Sequence, residues 1–114
     1  MPHFVIDCAA ELIGEPSEET VNRQVHEVAA ASKLFDIADI KVRVNPYRTY
    51  LVGGEQEPFI HVFAHALQGR TPEQRAALSR AVVAKLMELF PTVNNIAMSV
   101  NEFEQATYCH RKHL

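Results

Sequence analysis

Cysteine and the common catalytic signatures are scarce in this sequence. Its two cysteines, Cys8 and Cys109, form no C-x-x-C pair. Two residues are too few for a disulfide framework, so we expect both to be free thiols in a reducing compartment. The sequence also lacks a glycine-rich phosphate loop and a G-x-S-x-G motif. These absences exclude the usual sequence signatures of a phosphate-binding loop and of an α/β-hydrolase nucleophile.

An excess of positive charge and long hydrophobic runs are absent as well. Eleven Lys and Arg residues face fourteen Asp and Glu residues, and the net charge of -3 does not favour nucleic acid or an anionic membrane as a partner. No apolar stretch approaches the roughly 18 residues that span a bilayer, and the opening residues carry no cationic signal-peptide region. We therefore expect a cytoplasmic protein, in which any anionic ligand is bound by a local cluster of cations.

The chain has the size and balance of one globular domain, residues 1–114, with 47% apolar and 22% charged residues. It also carries a weak internal repeat. Pro58 and the apolar run after it follow Pro2 and its run by 56 residues, and the same offset maps residues 40–45 onto residues 96–101. The sequence therefore predicts two related halves, residues 2–50 and 58–108, joined by a polar segment rich in turn residues.

Each half has the pattern of a strand, a helix and a second strand. In the second half, Thr71, Pro72 and Gln74 form the start of a helix with a capping box. An apolar stripe follows at helical spacing, formed by Leu78, Val82, Leu86, Leu89 and Phe90. A shorter stripe follows Pro16 and Ser17 in the first half, formed by Val21, Val25, Val28 and Ala29.

Alternating residues in the second strand of each half predict strands with one buried face. Each strand-helix-strand unit should contain a parallel strand pair joined by a right-handed crossover. The predicted fold class is α+β, a tandem β-α-β repeat with a four-stranded mixed sheet and two helices on one face. Because that arrangement leaves the other sheet face uncovered, we also expect a homo-oligomer.

Pro2 directly follows the initiator methionine and is small enough to allow its removal. The exposed secondary amine could then act as a base. An ordinary α-amino group has a pKa of about 7.7 to 8.0, and a prolyl amine is more basic, so a neutral amine near pH 7 requires burial and nearby cations. The alternative interpretation is that Pro2 begins an edge strand, where a missing N–H is harmless.

Cations are distributed unequally between the two halves. Lys41 and Arg43 lie on the second strand of the first half, where the second half has neutral residues. Arg70 lies in the turn before the second helix, where the first half has Gly14. This asymmetry suggests one composite site, with the amine and strand cations from the first half and the loop arginine from the second. A solvated strand face and a solvated loop remain the alternative interpretations.

His61 and His65 have the four-residue spacing of helical metal ligands. In the strand predicted here, that spacing corresponds to about 13 Å, which a single ion does not bridge. The sequence therefore predicts no metal site at these residues.

With these residues in view, the chain resembles the tautomerase superfamily, and within it the 5-carboxymethyl-2-hydroxymuconate isomerase family. The resemblance is carried in order by Met1–Cys8, Leu34-Phe35, Ile40–Val44 and Gly69–Gln74. The last segment is also similar to the Gly-Arg-[Ser/Thr]-x-Glu-Gln segment of 4-oxalocrotonate tautomerases. The resemblance implies a homotrimer in which sheets line an inner barrel and helices lie outside, without a metal or organic cofactor.

Family members use the amino-terminal proline as general base and acid. The resemblance thus implies that Pro2 is the catalytic amine and that Arg70, Arg43 and Lys41 bind a small polycarboxylate dienol. Position 41 departs from the isomerase pattern, which has arginine there; lysine keeps the charge but loses the bidentate fork. The implied reaction is keto-enol tautomerisation of a ring-opened aromatic catabolite from homoprotocatechuate degradation. The alternatives are a tautomerase of different specificity and a non-catalytic trimeric homologue that retains Met1.

Overall fold

The computed structural model describes all residues, 1–114, and contains four strands and two α-helices. In chain order the elements are β1 (His3–Ala9), α1 (Glu18–Ala31), β2 (Lys41–Tyr47), β3 (Phe59–Leu67), α2 (Pro72–Leu89) and β4 (Asn95–Phe103). Short 3-10 turns precede α1 and β2 and follow β4. Neither α-helix combines the length and apolar character needed to cross a membrane.

The four strands form one sheet in the order β2-β1-β3-β4. β1 pairs in parallel with β2, and β3 pairs in parallel with β4, whereas the central β1–β3 pair is antiparallel. The predicted mixed sheet and both predicted parallel pairs are therefore confirmed. The antiparallel junction places the end of β3 beside the start of β1, where His3 lies between Lys41 of β2 and His65 of β3.

Both helices begin at an N-cap residue, and the cap of α2 is the predicted one. The Ser17 hydroxyl accepts a hydrogen bond from the backbone N–H of Thr20 at 3.2 Å. The Thr71 hydroxyl accepts from the N–H of Gln74 at 3.1 Å, and the Gln74 side chain accepts from the N–H of Thr71 at 2.9 Å, which completes the capping box. These bonds satisfy N–H groups that have no partner inside the helix. The second cap also fixes the segment that immediately precedes it, which contains Arg70.

The core lies between the two helices and one face of the sheet. Its strand residues alternate along β1 and β3, and its helix residues follow one face of α1 and α2. The fully buried members include Phe4, Ile6, Cys8, Ile60, Val62, Ala64, Val21, Val25, Ala29, Leu78, Val82 and Leu86. Burial of this apolar surface holds the helices on the sheet. The sequence-predicted stripes are thus confirmed, and the two α-helices pack on the same face.

The opposite sheet face, which we call the open face, has no helix over it. It carries the other alternating side chains of each strand, among them His3, Lys41, Arg43, His65 and Phe103. Most of these residues are half-buried or exposed. The open face combines charged, aromatic and imidazole groups, so it differs in chemistry from the apolar face beneath the helices.

We expect Thr71→Ala to lower the free energy of unfolding by about 1 kcal/mol, because loss of an N-cap hydroxyl leaves a helical N–H without its partner. Urea unfolding followed by circular dichroism measures this change. Thr92→Ala is the matched control, since Thr92 is exposed in the turn after α2 and caps no helix. Equal stability of the two variants would contradict the capping role.

Candidate active site

Three segments converge at the amino-terminal end of β1. β2 begins beside β1 because the two strands are parallel, and β3 ends there because it is antiparallel to β1. The backbone N–H of Lys41 donates to the carbonyl of Pro2 at 3.1 Å. The chain then leaves β3 through Gly69, whose φ of +124° is a backbone conformation suited to glycine, and reaches Arg70. This end of the sheet therefore joins the amino terminus to Lys41 and Arg70.

Pro2 is fully buried at this end, and its side chain lies with the core rather than in solvent. While Met1 is attached, the Pro2 nitrogen is an amide. The amine of Met1 lies 3.7 Å from Oδ2 of Asp39. Burial lowers the pKa of this amine, Asp39 raises it, and the positive charges of Lys41 and Arg70 lower it further, with a net lowering. An amine at this end of the sheet is therefore less basic than a free one.

The Arg70 guanidinium is held from several sides. It donates through Nη1 to the carbonyl of Leu67 at 2.9 Å and through Nη2 to the carbonyl of Leu34 at 2.8 Å. Its central carbon lies 4.8 Å from the centroid of the Phe35 ring, a cation–π contact. Arg70 forms no ion pair with a carboxylate of the chain. Its charge is therefore fixed in position and free to attract an external anion.

The other two predicted cations lie in different places. The Lys41 side chain donates to the carbonyl of Asp39 at 2.8 Å and acts electrostatically on both the amino terminus and His3. Arg43 lies one same-face step further along β2, about 7 Å on, and its Nη1 is 3.2 Å from Nδ1 of His3. The structure thus brings Lys41 and Arg70 to the amino terminus and places Arg43 beside His3 on the open face.

Two neighbours of this site, one acidic and one aromatic, are not marked by any pattern in the sequence. Asp39 lies in a 3-10 turn just before β2, where no periodic pattern marks it. Phe35 is indicated only by the family resemblance. Its contact with Arg70 joins residues that lie 35 positions apart in the chain, so no local pattern predicts it. The histidines His3 and His65 carried a usable signal, because strand alternation places both on the open face. What the sequence did not supply was the antiparallel pairing that sets them side by side.

Other reactive groups are poorly placed for catalysis. Burial, and secondarily the negative charges of Glu18 and Asp7, raise the pKa of the Cys8 thiol to about 11. Cys8 therefore remains protonated at neutral pH and is a poor nucleophile. His61 and His65 both lie in β3, as predicted, and the structure contains no group of three or more His, Cys, Asp or Glu side chains arranged to hold a metal ion.

Comparison with solved structures shows the same fold in proteins of low sequence identity. Native Ps01740 aligns with a TM-score of 0.84 at 11% identity, covering 95% of this chain and 99% of that chain. A 5-carboxymethyl-2-hydroxymuconate isomerase from Deinococcus radiodurans R1 gives 0.82 at 19% identity, covering 96% and 88%. A fused 4-OT in the form of a symmetric trimer gives 0.81 at 12% identity, covering 96% and 94%.

The family assignment comes from the sequence. A search of curated proteins found no significant match. The family model for 5-carboxymethyl-2-hydroxymuconate isomerase, however, matches residues 2–113, nearly the whole chain. The match includes the buried Pro2, the strand with Lys41 and Arg43, and the turn with Arg70. The chain therefore belongs to the 5-carboxymethyl-2-hydroxymuconate isomerase family, and its activity is that of an isomerase or tautomerase.

Proposed function

We propose that the protein is a 5-carboxymethyl-2-hydroxymuconate Δ-isomerase in which Pro2, freed by removal of Met1, is the general base and acid. The neutral Pro2 nitrogen takes the proton from the 2-hydroxyl of the dienol. It then delivers a proton to a distant carbon of the chain, which yields the 2-oxo isomer with the double bond moved. The proton is only relocated, so the reaction needs no oxidant and no cofactor.

The observation that carries this proposal is the electrostatic environment of the amino terminus. The amine of Met1 is partly buried there, and Lys41 and Arg70 add two positive charges to its surroundings. Both effects disfavour the protonated amine, and a general base works best when its pKa lies near the operating pH. Removal of Met1 would leave Pro2 with a secondary amine next to this position, on a ring that is already immobilised by burial.

The same cations suit the substrate. A hydroxymuconate carries several negative charges, and its dienolate concentrates further charge on oxygen as the proton leaves. Arg70, held by two carbonyls and without a carboxylate partner, is available to bind the carboxylate next to the reacting hydroxyl. Lys41 adds a second charge at the same end, and Arg43 a third further along β2. Fixed charges aimed at developing negative charge stabilise such a transition state.

We further propose that the protein assembles as a homotrimer through its open face and functions in the cytoplasm. The open face has no covering element in the single chain. The fused 4-OT structure with the same fold is described as a symmetric trimer. Assembly by this face would exclude water from the end of the sheet that holds the amine, which strengthens the electrostatic effects described above.

An ultraviolet assay against a small panel of dienol carboxylates tests the function. The protein is first examined by intact mass spectrometry, so that its amino terminus is known to be Pro2. We expect loss of the dienol absorbance for 5-carboxymethyl-2-hydroxymuconate at a rate well above that in buffer. Absence of turnover for every member of the panel, or retention of Met1 throughout the cellular protein, would contradict the proposal.

The acidic limb of the pH profile should respond to the charges around the amine. Asp39 raises the pKa of the Met1 amine and Lys41 lowers it, and we expect the same directions for the adjacent Pro2 amine after processing. In Asp39→Asn we expect the acidic limb of kcat/KM to move to lower pH, since the remaining charges disfavour protonation. In Lys41→Ala it should move to higher pH. Glu27→Gln, an exposed position on α1, is the control, and parallel shifts in all three variants would contradict the assignment.

A further inference from the structure

The turn between β3 and α2, residues 68–71, carries Arg70 directly after a glycine. Gly69 has a φ of +124°, a backbone conformation that other residues rarely adopt. Glycine allows this turn but has no side chain that could fix it. The direction in which the Arg70 side chain leaves the turn therefore depends on the groups that bind the backbone on either side of it.

A carboxylate at the end of β4 binds this turn. Oε2 of Glu102 accepts a hydrogen bond from the backbone N–H of Gly69 at 3.1 Å. The other carboxylate oxygen, Oε1, lies 3.9 Å from Nη2 of Arg75, which lies near the start of α2. Glu102 therefore links the turn to the helix that follows it.

Arg75 binds the same turn from the helix. Its Nε donates to the backbone carbonyl of Arg70 at 3.4 Å. A partly exposed ion pair by itself contributes little to stability. The Glu102–Arg75 pair, however, also binds the N–H of the residue before Arg70 and the carbonyl of Arg70 itself. Rotation of the backbone at Arg70 would therefore break at least one of these bonds.

Glu102 occupies a strand position where the alternation along β4 favours an apolar residue. It is in register with the buried Ala66 of β3. The preceding residues on the same face, Ile96, Met98 and Val100, pack against the core. This face lies towards the helices, so the contacts of Glu102 do not depend on what covers the open face. A carboxylate at the end of an apolar series adds little to the core, and its role lies in its contacts with the turn and with α2.

The first half of the internal repeat lacks both parts of this arrangement. With the offset of 56 residues, Arg70 corresponds to Gly14, and Glu102 corresponds to Pro46. The carboxylate is therefore present in the half that has the loop arginine and absent from the half that does not.

We propose that Glu102, together with Arg75, is a positioning residue that holds the turn so that Arg70 keeps its place at the amino terminus. The inference rests on the proposed function and adds to it a residue that acts on the substrate only through Arg70. The Arg70 guanidinium donates to carbonyls in two separate segments, at Leu34 and Leu67. It can reach both only while the turn stays where Glu102 binds it.

A double-mutant cycle in the processed protein tests this role. We expect Glu102→Ala to lower kcat/KM for the dienol about tenfold in the wild-type background and less than about twofold in Arg70→Ala. Glu102→Gln keeps an acceptor for the N–H of Gly69 and should restore most of the loss. Glu88→Ala, which breaks the Lys85–Glu88 pair of 3.2 Å on α2, is the matched control and should leave kcat/KM unchanged. Equal losses from Glu102→Ala in both backgrounds, or no loss in either, would overturn the proposal.

Binding of an unreactive ligand distinguishes this inference from the proposed function. Muconate lacks the 2-hydroxyl and cannot undergo the same tautomerisation. By calorimetry, Glu102→Ala should weaken muconate binding about tenfold when Arg70 is present and should have no further effect in Arg70→Ala. Thermal unfolding verifies that each variant is folded.

The two failures give different results. If no dienol reacts but muconate binding shows this dependence on Arg70, the isomerase assignment fails and the positioning role of Glu102 stands. If the dienols react and Glu102→Ala changes muconate binding equally in both backgrounds, or in neither, the positioning role fails and the isomerase assignment stands.

Discussion

Insertion of one alanine between Met1 and Pro2 should reduce kcat/KM for the dienol at least about 100-fold, the range expected for loss of a general base. Removal of the initiator then exposes alanine, and the Pro2 nitrogen becomes an amide that has no basic lone pair. The insertion keeps the buried ring that Pro2 contributes to the core. The loss would therefore report on the nitrogen and not on packing.

Two substitutions complete this experiment. In Pro2→Ala the amine is primary and lacks the ring that immobilises it, and we expect a loss of about 100-fold or more. Pro58→Ala is the matched control, because Pro58 precedes β3 as Pro2 precedes β1, but its nitrogen is an amide in the wild-type protein. Thermal unfolding of each variant separates folding defects from catalytic ones. Wild-type kcat/KM in the insertion variant would refute the role of Pro2.

Arg70→Ala should lower kcat/KM by about 100-fold, which corresponds to about 2.7 kcal/mol of lost transition-state stabilisation. The physical reason is that Arg70 brings a charge without a carboxylate partner to the amine. Arg70→Lys should restore little of this loss. An ammonium group lacks the planar fork that reaches the carbonyls of Leu34 and Leu67 together, and it stacks less well on Phe35.

The Arg70 variants also test the electrostatic effect on the amine. Arg70 lowers the pKa of the Met1 amine, and we expect it to act in the same direction on the adjacent Pro2 amine once Met1 is removed. The acidic limb of the pH profile should therefore move to higher pH in Arg70→Ala. Arg23→Ala removes an exposed arginine from α1 and serves as the control. If Arg70→Ala and Arg23→Ala lower kcat/KM equally, or if neither does, Arg70 does not bind the substrate.

Much of the secondary structure was predictable because its signals are local. Thr71 and Gln74 mark a helix start within four residues, and the alternation along residues 41–45 marks a strand with one apolar face. The parallel strand pairs followed from the strand-helix-strand order. The sequence also marked Pro2, Lys41 and Arg70, and the structure places all three at one end of the sheet.

The remaining features depend on contacts between distant parts of the chain. No local pattern specifies that β1 and β3 are antiparallel neighbours, and that pairing alone sets His3 beside His65. Likewise, Tyr108 reaches Phe103 only after the chain turns beyond β4. For the same reason the sequence grouped Arg43 with Lys41 as one cluster, whereas the structure gives Arg43 its own partner, His3.

The antiparallel pairing of β1 and β3 also places Pro2 and Pro58 at opposite ends of the sheet. Pro58 lies at the far end of the sheet from Pro2, beside the start of β4, where Asn95 and Ile96 are in register with Phe59 and Ile60 of β3. β3 and β4 carry no arginine or lysine, so that remote end adds no positive charge from its own strands. If Pro2 is the base, as proposed, amino acid replacements at the remote end should leave the proton transfer undisturbed.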